Sequence, residues 1–342
     1  MNLYMPERVI FVPSSLKYPL GRDLYEFFQD KEVEVIKSTS NKVAQFIPGT
    51  TSGEKYASSK RTIVVTTAKS KKLDICKPSA DYQFSLVSSC PGNCEYCYLQ
   101  TTQGEKPYIK VFVNLEDIFN VIEEYIGQNP NEITTFEAAS LGDPLALEHI
   151  TGSLAKTIEF FGNLENGKLR VVTKYSNVDS LLPLKHNKNT QFRISINSNY
   201  VIDNLEHSTS RLDERIEAII KLGNAGYPIG FLIAPIMIYD GWKDDYRILL
   251  TKLKERLGPE LCQQELTFEL IQHRFTAVAK ELIVQRFPKT KLDMEEEKRT
   301  LKWGRFGRFK YIYPKEQANE IREYLTSHIV ERFPRAIIKY FT

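Results

Sequence analysis

Residues 90–98 read Cys90-Pro91-Gly92-Asn93-Cys94-Glu95-Tyr96-Cys97-Tyr98, three thiols spaced C-x3-C-x2-C on a Gly/Pro loop. The run before it, Ser79-Ala80-Asp81-Tyr82-Gln83-Phe84-Ser85-Leu86-Val87, alternates as a strand does, so the loop follows a strand. Three ligands is the informative number. A structural zinc site takes four protein ligands, and the nearest further candidates in sequence are Cys76 and His149. A [4Fe–4S] cluster on Cys thiolates ordinarily uses four, so three leave one iron open to a small molecule. The alternatives are a zinc knuckle that borrows Cys76 and a loop of unligated thiols. The chain has five cysteines, an odd number, and three crowd into eight positions. That pattern argues against a disulfide framework and for a metal or redox site in a reducing compartment.

Working outward, short β-branched runs at Val9 to Val12, Glu32 to Ile36 and Arg61 to Thr67 predict strands, with a helix from Gly21 to Gln29 between the first two. A small α/β domain over residues 1–78 follows. From residue 79 to 296 strand-like and helical runs alternate: strand Thr134 to Ala138, helix Ile150 to Phe161, strands Arg170 to Lys174 and Phe192 to Ile196, then helix Leu212 to Asn224. Strand Ile229 to Ile236, helix Tyr246 to Leu257, strand Leu266 to Ile271 and helix Ala277 to Arg286 continue the series. Such β-then-α repetition predicts a parallel sheet with helices outside, as an open wound sheet or a whole or partial barrel. In either form ligands gather at the strands' C-terminal ends.

Residues 297–342 differ. Lys302-Trp303-Gly304-Arg305-Phe306-Gly307-Arg308-Phe309-Lys310-Tyr311-Ile312-Tyr313 reads as an aromatic, basic β-hairpin with Gly near its turn, followed by a helix from Lys315 to Arg332. Lys298, Arg299, Lys302, Arg305, Arg308 and Lys310 occur with no acidic residue among them, and Trp303, Phe306 and Phe309 are interleaved. A strip of this kind binds phosphates and stacks on or wedges beside bases, and a hairpin can fill the gap left by an extruded base. The bland alternative is a solvated hairpin whose aromatics pack on the sheet.

Composition sets the bounds. With 342 residues, 42% hydrophobic and 26% charged, the chain has an ordinary globular make-up, which excludes wholesale disorder, collagen and coiled coil. A formal net charge of +3 means that a nucleic-acid partner is held by a local basic patch. The most apolar run, Ile229 to Ile238, carries a Pro and a Gly and falls short of the roughly 20 residues a membrane helix needs. The first residues have neither a basic n-region nor an apolar h-region, so a cytoplasmic location is expected.

The C-x3-C-x2-C spacing, with aromatic Tyr96 before the last Cys, resembles the radical S-adenosylmethionine (SAM) superfamily. That resemblance implies a [4Fe–4S] cluster on Cys90, Cys94 and Cys97, with SAM on the open iron. It also implies reductive cleavage to a 5′-deoxyadenosyl radical that abstracts hydrogen. The expected SAM contacts lie at strand ends. Ser140-Leu141-Gly142-Asp143-Pro144 is similar to the superfamily's Gly-Gly-Glu-Pro segment, with Gly142 permitting close approach and Asp143 receiving the amino group. Lys174, Ser195 and Asn197 are candidates for the carboxylate and ribose, and Ala234 for adenine packing. Tyr96 and Tyr98 join the cofactor-contacting candidates.

A closer resemblance, to the spore photoproduct lyase family, covers nearly the whole chain. It is carried by Tyr18-Pro19-Leu20-Gly21-Arg22, Lys77-Pro78-Ser79-Ala80, Cys97-Tyr98-Leu99-Gln100-Thr101-Thr102, Lys106-Pro107-Tyr108-Ile109 and Phe136-Glu137-Ala138-Ala139. Val172-Thr173-Lys174-Tyr175, Phe268-Glu269-Leu270-Ile271-Gln272-His273-Arg274-Phe275, Lys302-Trp303-Gly304-Arg305 and Tyr340-Phe341-Thr342 extend it. The resemblance implies a partial (β/α)6 barrel with a small N-terminal α/β domain and a C-terminal DNA-binding hairpin. The implied partners are DNA bearing a photolesion and an electron donor such as flavodoxin or ferredoxin. Arg274, Lys302, Trp303, Arg305, Arg308 and Lys310 are the expected DNA contacts.

One position departs from the family. Where it carries a cysteine after Phe-Glu-Ala-Ala, this chain has Ser140, and the following Thr-Ser is Leu141-Gly142. In the family that cysteine returns a hydrogen atom to the substrate thymine radical, which a serine O–H bond is too strong to do. The role then falls to Tyr96, Tyr98 or another thiol, Cys76 or Cys262, and of these Cys262 lies on the sheet's N-terminal side, away from the chemistry. Three readings follow: a lyase for the spore photoproduct or a related dinucleotide lesion, a radical SAM enzyme for another nucleotide or RNA, and a non-catalytic metal-stabilised DNA-binding protein.

Overall fold

Val9, Ile10 and Phe11 are all buried, the pattern of a strand covered on both faces, and β1 (Arg8–Phe11) sits between β2 (Glu34–Lys37) and β3 (Thr62–Thr66). This is a computed structural model that describes residues 3–69, 72–138, 140–303 and 309–342. The chain falls into two units, the first built from Met1–Pro91, Gln103–Thr173 and Asn177–Gln191. The second takes Gly92–Thr102, Lys174–Ser176 and Phe192–Thr342.

Strands of the first unit continue with β4 (Asp74–Ile75), β5 (Tyr82–Gln83), β6 (Val87–Ser88), β7 (Ile109–Phe112), β8 (Thr134–Glu137) and β9 (Gly167–Thr173). The helices, in chain order, are α1 (Pro19–Gln29), α2 (Ser52–Lys60), α3 (Leu99–Thr102, of the second unit), α4 (Leu115–Gly127), α5 (Glu148–Thr151) and α6 (Ser153–Gly162). Proline at its start suits α1, because its first N–H needs no helical partner, and Leu20, Leu24 and Phe28 fall on one buried face at i, i+4, i+8. One sheet runs β2-β1-β3-β7-β6, parallel except for β6, which pairs antiparallel with β7. A second set joins β4 antiparallel to β5, with β5, β8 and β9 parallel.

The run from 79 to 87, expected as one strand, is two. Phe84 N–H donates to Glu137 O at 3.0 Å, and two residues on Leu86 O accepts from Phe112 N–H at 3.0 Å. The chain therefore changes sheets between Phe84 and Leu86, both buried at the crossing. The N-terminal sheet takes two of its five strands, β6 and β7, from residues 87–88 and 109–112, beyond the expected boundary at 78. Helix α6 also begins later than expected, because Gly152, left-handed at φ 56°, separates it from α5.

In the second unit β10 (Thr190–Ile196), β11 (Ile229–Ile236) and β12 (Thr267–Gln272) are parallel neighbours. An antiparallel hairpin of β13 (Thr300–Trp303) and β14 (Phe309–Ile312) follows, and β15 (Ile337–Phe341) returns to pair parallel with β12. Helices α7 (Asn199–Leu205), α8 (Leu212–Asn224), α9 (Trp242–Cys262), α10 (Ala277–Arg286) and α11 (Lys315–Arg332) complete it. Among the described residues no helix is long and apolar enough to cross a membrane.

Candidate active site and nucleic-acid surface

The cysteine loop is held by its backbone. Lys60 Nζ donates to Cys90 O in the first unit. In the second unit, Asn93 N–H donates to His207 O at 2.7 Å and Glu95 N–H to Leu205 O at 2.9 Å, while Cys97 N–H closes a turn on Cys94 O at 3.2 Å. Glu95 is buried and pinned by His207 Nε2 at 2.8 Å and by the Thr290 hydroxyl. None of the three cysteines is in a disulfide, Cys94 is buried and the other two half-buried, and thiols are the donor chemistry an iron–sulfur cluster takes. Among the described residues no three Cys, His, Asp or Glu side chains are gathered into a finished metal cage, so what is preformed is the loop backbone.

Behind the loop in the second unit lies a buried charge cluster centred on Glu206. Its carboxylate accepts from Lys174 Nζ at 2.9 Å, from the Arg215 guanidinium and from the Tyr96 hydroxyl. Burial pushes a carboxyl up, but the Lys174 and Arg215 charges and the hydrogen bonds outweigh it and hold Glu206 at about 2. Burial, followed by the facing carboxylate, pushes Tyr96 well above the ordinary phenol range. Lys174 also donates to Ser195 Oγ at 2.8 Å and lies 5.4 Å from the Tyr96 ring centroid. Three of the expected side chains, Tyr96, Lys174 and Ser195, thus meet.

Glu206 carries no motif and escapes sequence reading. Arg215 leaves a signal, since it occupies a position on the apolar stripe of α8 with Leu212, Ile216, Ile219 and Leu222. Asn197 is fully buried, its Nδ2 donating to Pro235 O at 2.8 Å and its Oδ1 accepting from Tyr246 and Ser198. Most of its hydrogen-bonding capacity therefore serves the fold. Ala234 lies near the end of β11, and Tyr98 is 55% exposed, unlike Tyr96.

In the first unit, Asp143 is buried and accepts from the Thr173 hydroxyl, 2.9 Å from each carboxylate oxygen. Gly142 bridges to Ser89, and a Cβ there would stand 2.5 Å from Ser89 O and 2.9 Å from Val87 Cγ2. Only glycine permits that approach. Ser140, just past β8, has its Oγ 3.4 Å from Cys76 Sγ, a contact between residues 64 apart in sequence.

The expected hairpin forms, with Lys302 opposite Lys310 and Trp303 opposite Phe309, whose rings meet edge-on at 4.8 Å. Trp303 is 65% exposed, so its aromatic face is not spent on packing. Desolvation, then the charges of Arg274 and Lys302, pull Lys310 below the usual lysine range. Arg305 and Arg308 lie outside the described residues. His273, beside Arg274, is buried; burial and then the Arg299 charge lower it to about 3, leaving it neutral within the core.

A spore photoproduct lyase family profile matches residues 4–342. A relative, the spore photoproduct lyase of Geobacillus sp. (strain Y412MC61), is 48% identical over 343 residues and covers 100% of both chains. A solved spore photoproduct lyase complexed with dinucleoside spore photoproduct matches with a TM-score of 0.97, at 47% identity over 100% of both chains. A second solved structure has one cysteine changed to alanine and one serine to cysteine, with bound AdoMet and dinucleoside spore photoproduct; it matches at 0.96 with the same identity and coverage. The expected α/β fold with a partial barrel is the fold of this chain. With a profile that spans almost its whole length and a relative nearly half identical throughout, the chain belongs to the spore photoproduct lyase family and is a DNA repair lyase.

Proposed function

We propose that this chain opens the methylene-bridged thymine dimer, or a closely related dinucleotide lesion, as a radical SAM carbon–carbon lyase. The observation that supports the reading is the meeting of Lys174 and Ser195 with Tyr96 of the cysteine loop, a cation and hydroxyl of the kind that receives an amino-acid carboxylate. Cys90, Cys94 and Cys97 would hold a [4Fe–4S] cluster, which with SAM and a flavodoxin or ferredoxin as reductant would supply hydrogen-abstracting one-electron chemistry.

The protein residues bind and orient. Lys174 is a shared cation: Glu206 fixes its position, and an anionic ligand group competes for the same ammonium. Asp143, oriented by Thr173, accepts from a ligand ammonium, and Gly142 lets backbone approach closely. On the DNA side, Arg274, Lys302 and Lys310 meet phosphates and Trp303 offers a stacking face, with Arg305 and Arg308 adding charge in the sequence between Trp303 and Phe309.

Anaerobic reconstitution with iron and sulfide, reduction, and measurement of 5′-deoxyadenosine test this. Wild type is expected to form it, and Cys90→Ala, Cys94→Ala and Cys97→Ala each to form none. SAM cleavage surviving in all three variants would sink the assignment.

A further inference from the structure

A cation stands at the first residue of the cysteine motif. Lys60, the last residue of α2, donates from Nζ to Cys90 O, and both are half-buried members of the first unit. The backbone that carries the lysine is pinned on both sides of it. The Tyr4 hydroxyl donates to Lys60 O at 3.0 Å, and Tyr4 O in turn lies 2.7 Å from His149 Nε2. One residue on, Arg61 N–H closes on Ser58 O at 3.2 Å, and Arg61 O accepts from Glu7 N–H at 2.9 Å and Arg8 N–H at 3.3 Å. The Thr62 hydroxyl donates to Ser58 O at 2.8 Å. Helix α2 therefore ends in a fixed place, with its last side chain aimed at the loop.

Cys90 is oriented from its other side as well. Ser89 sits in the left-handed region at φ 68°, which a residue with a side chain adopts at a cost, and two hydrogen bonds hold it there. Its N–H donates to Leu141 O at 2.7 Å and its hydroxyl to Pro107 O at 2.8 Å. With the chain before Cys90 fixed in this way, what the lysine adds to the loop is its charge. The adjacent cation has another duty, since Arg61 Nε is engaged by the Glu7 carboxylate at 3.1 Å.

We propose that Lys60 is a positioning residue for the iron–sulfur cluster, its ammonium raising the cluster's reduction potential by way of Cys90. The inference rests on the cluster reading above. Reduction from the 2+ to the 1+ state takes one electron from the reductant and adds one negative charge to the cluster and its thiolates. A fixed cation beside a ligating residue favours that added charge, in keeping with the dependence of cluster potentials on charge, hydrogen bonding and exposure. In a half-buried setting, less screened than open water, the effect is about tenfold in the ratio of reduced to oxidised cluster at a fixed poise, or about 59 mV for a one-electron couple. Lys60 acts through Cys90 and takes no part in the chemical steps.

An anaerobic redox titration of the reconstituted full chain tests the assignment, with dithionite as titrant and the electron paramagnetic resonance signal of the reduced cluster as readout. Iron and sulfide per chain are measured first. Lys60→Met and Lys60→Gln are expected to hold as much iron as wild type, while their reduced fraction at the wild-type midpoint falls from one half to about one tenth. Lys60→Arg keeps the charge, and its reduced-to-oxidised ratio is expected to stay within about twofold of wild type. Midpoints in Lys60→Met and Lys60→Gln equal to that of wild type would overturn the proposal and leave the lyase reading standing. So would Lys60→Arg being as hard to reduce as Lys60→Met. Loss of iron in both Lys60→Met and Lys60→Gln would make the lysine a structural support and overturn the proposal equally. No cluster in wild type would overturn the lyase reading and this inference with it.

Discussion

Replacing Glu206 by Gln tests whether the buried charge cluster behind the cysteine loop is held by charge or by shape. Gln keeps the volume and accepts the Tyr96 hydrogen bond, but removes the carboxylate that the fully buried Arg215 and the mostly buried Lys174 share. Removing one partner of a buried ion pair costs about 3–5 kcal/mol, because the remaining charge is left uncompensated. The depressed pKa agrees in order of magnitude: a carboxyl held at about 2 instead of 4.5 corresponds to about 3 kcal/mol of stability. For a unit of this size such a loss lowers the melting temperature by about 6–12 °C. Since the folded pKa is depressed, the stabilisation is fully present above the unfolded value near 4.5 and fades as pH falls toward about 2. Thermal melts of wild type and Glu206→Gln should therefore differ most at neutral pH and converge progressively below pH 4.5. A difference under about 2 °C at pH 7, or one that does not shrink in acid, would refute the charge argument.

Two further outcomes follow from other parts of the structure. Neutralising Arg274, Lys302 and Lys310 together should weaken oligonucleotide binding and reduce the slope of log K against log salt by about 2–3, read from titrations at several ionic strengths; unchanged affinity and slope would place the phosphate contacts elsewhere. Gly142→Ala drives a Cβ toward Ser89 O and should cost about 1–3 kcal/mol in denaturant melts, and a variant as stable as wild type would show that the bridge to Ser89 yields freely.

Much of the architecture is legible because its signals are local. The stripe of α8, the continuous apolar run of β11 and the whole of α10 and α11 fall where their apolar patterning or flanking Gly and Pro place them. Helix α2 gives no such signal: Ser59 is its one buried residue, and its start rests on a Thr51–Glu54 capping box. Helix α4 has a regular stripe of Leu115, Ile118, Val121 and Ile122 but no predicted element, as does β7 after it left the expected domain boundary. Strand β15 is half-exposed and reads as tail. The site divides the same way. Lys174, Ser195 and Asp143 stand at strand ends, where chain order alone predicts ligands, whereas Glu206 and the Cys76–Ser140 contact exist only through tertiary packing.

The touching pair at positions 76 and 140 also constrains ancestry. A lineage moving by single substitutions between a cysteine at 140 and one at 76 passes either through two adjacent thiols or through none. The route through none leaves the pair without any sulfur. The route through both keeps a sulfur in the pair throughout, at the risk that neighbouring thiols oxidise to a bridge. A reducing interior removes that penalty, so descendants carrying both thiols are the intermediates to seek among the relatives of this chain.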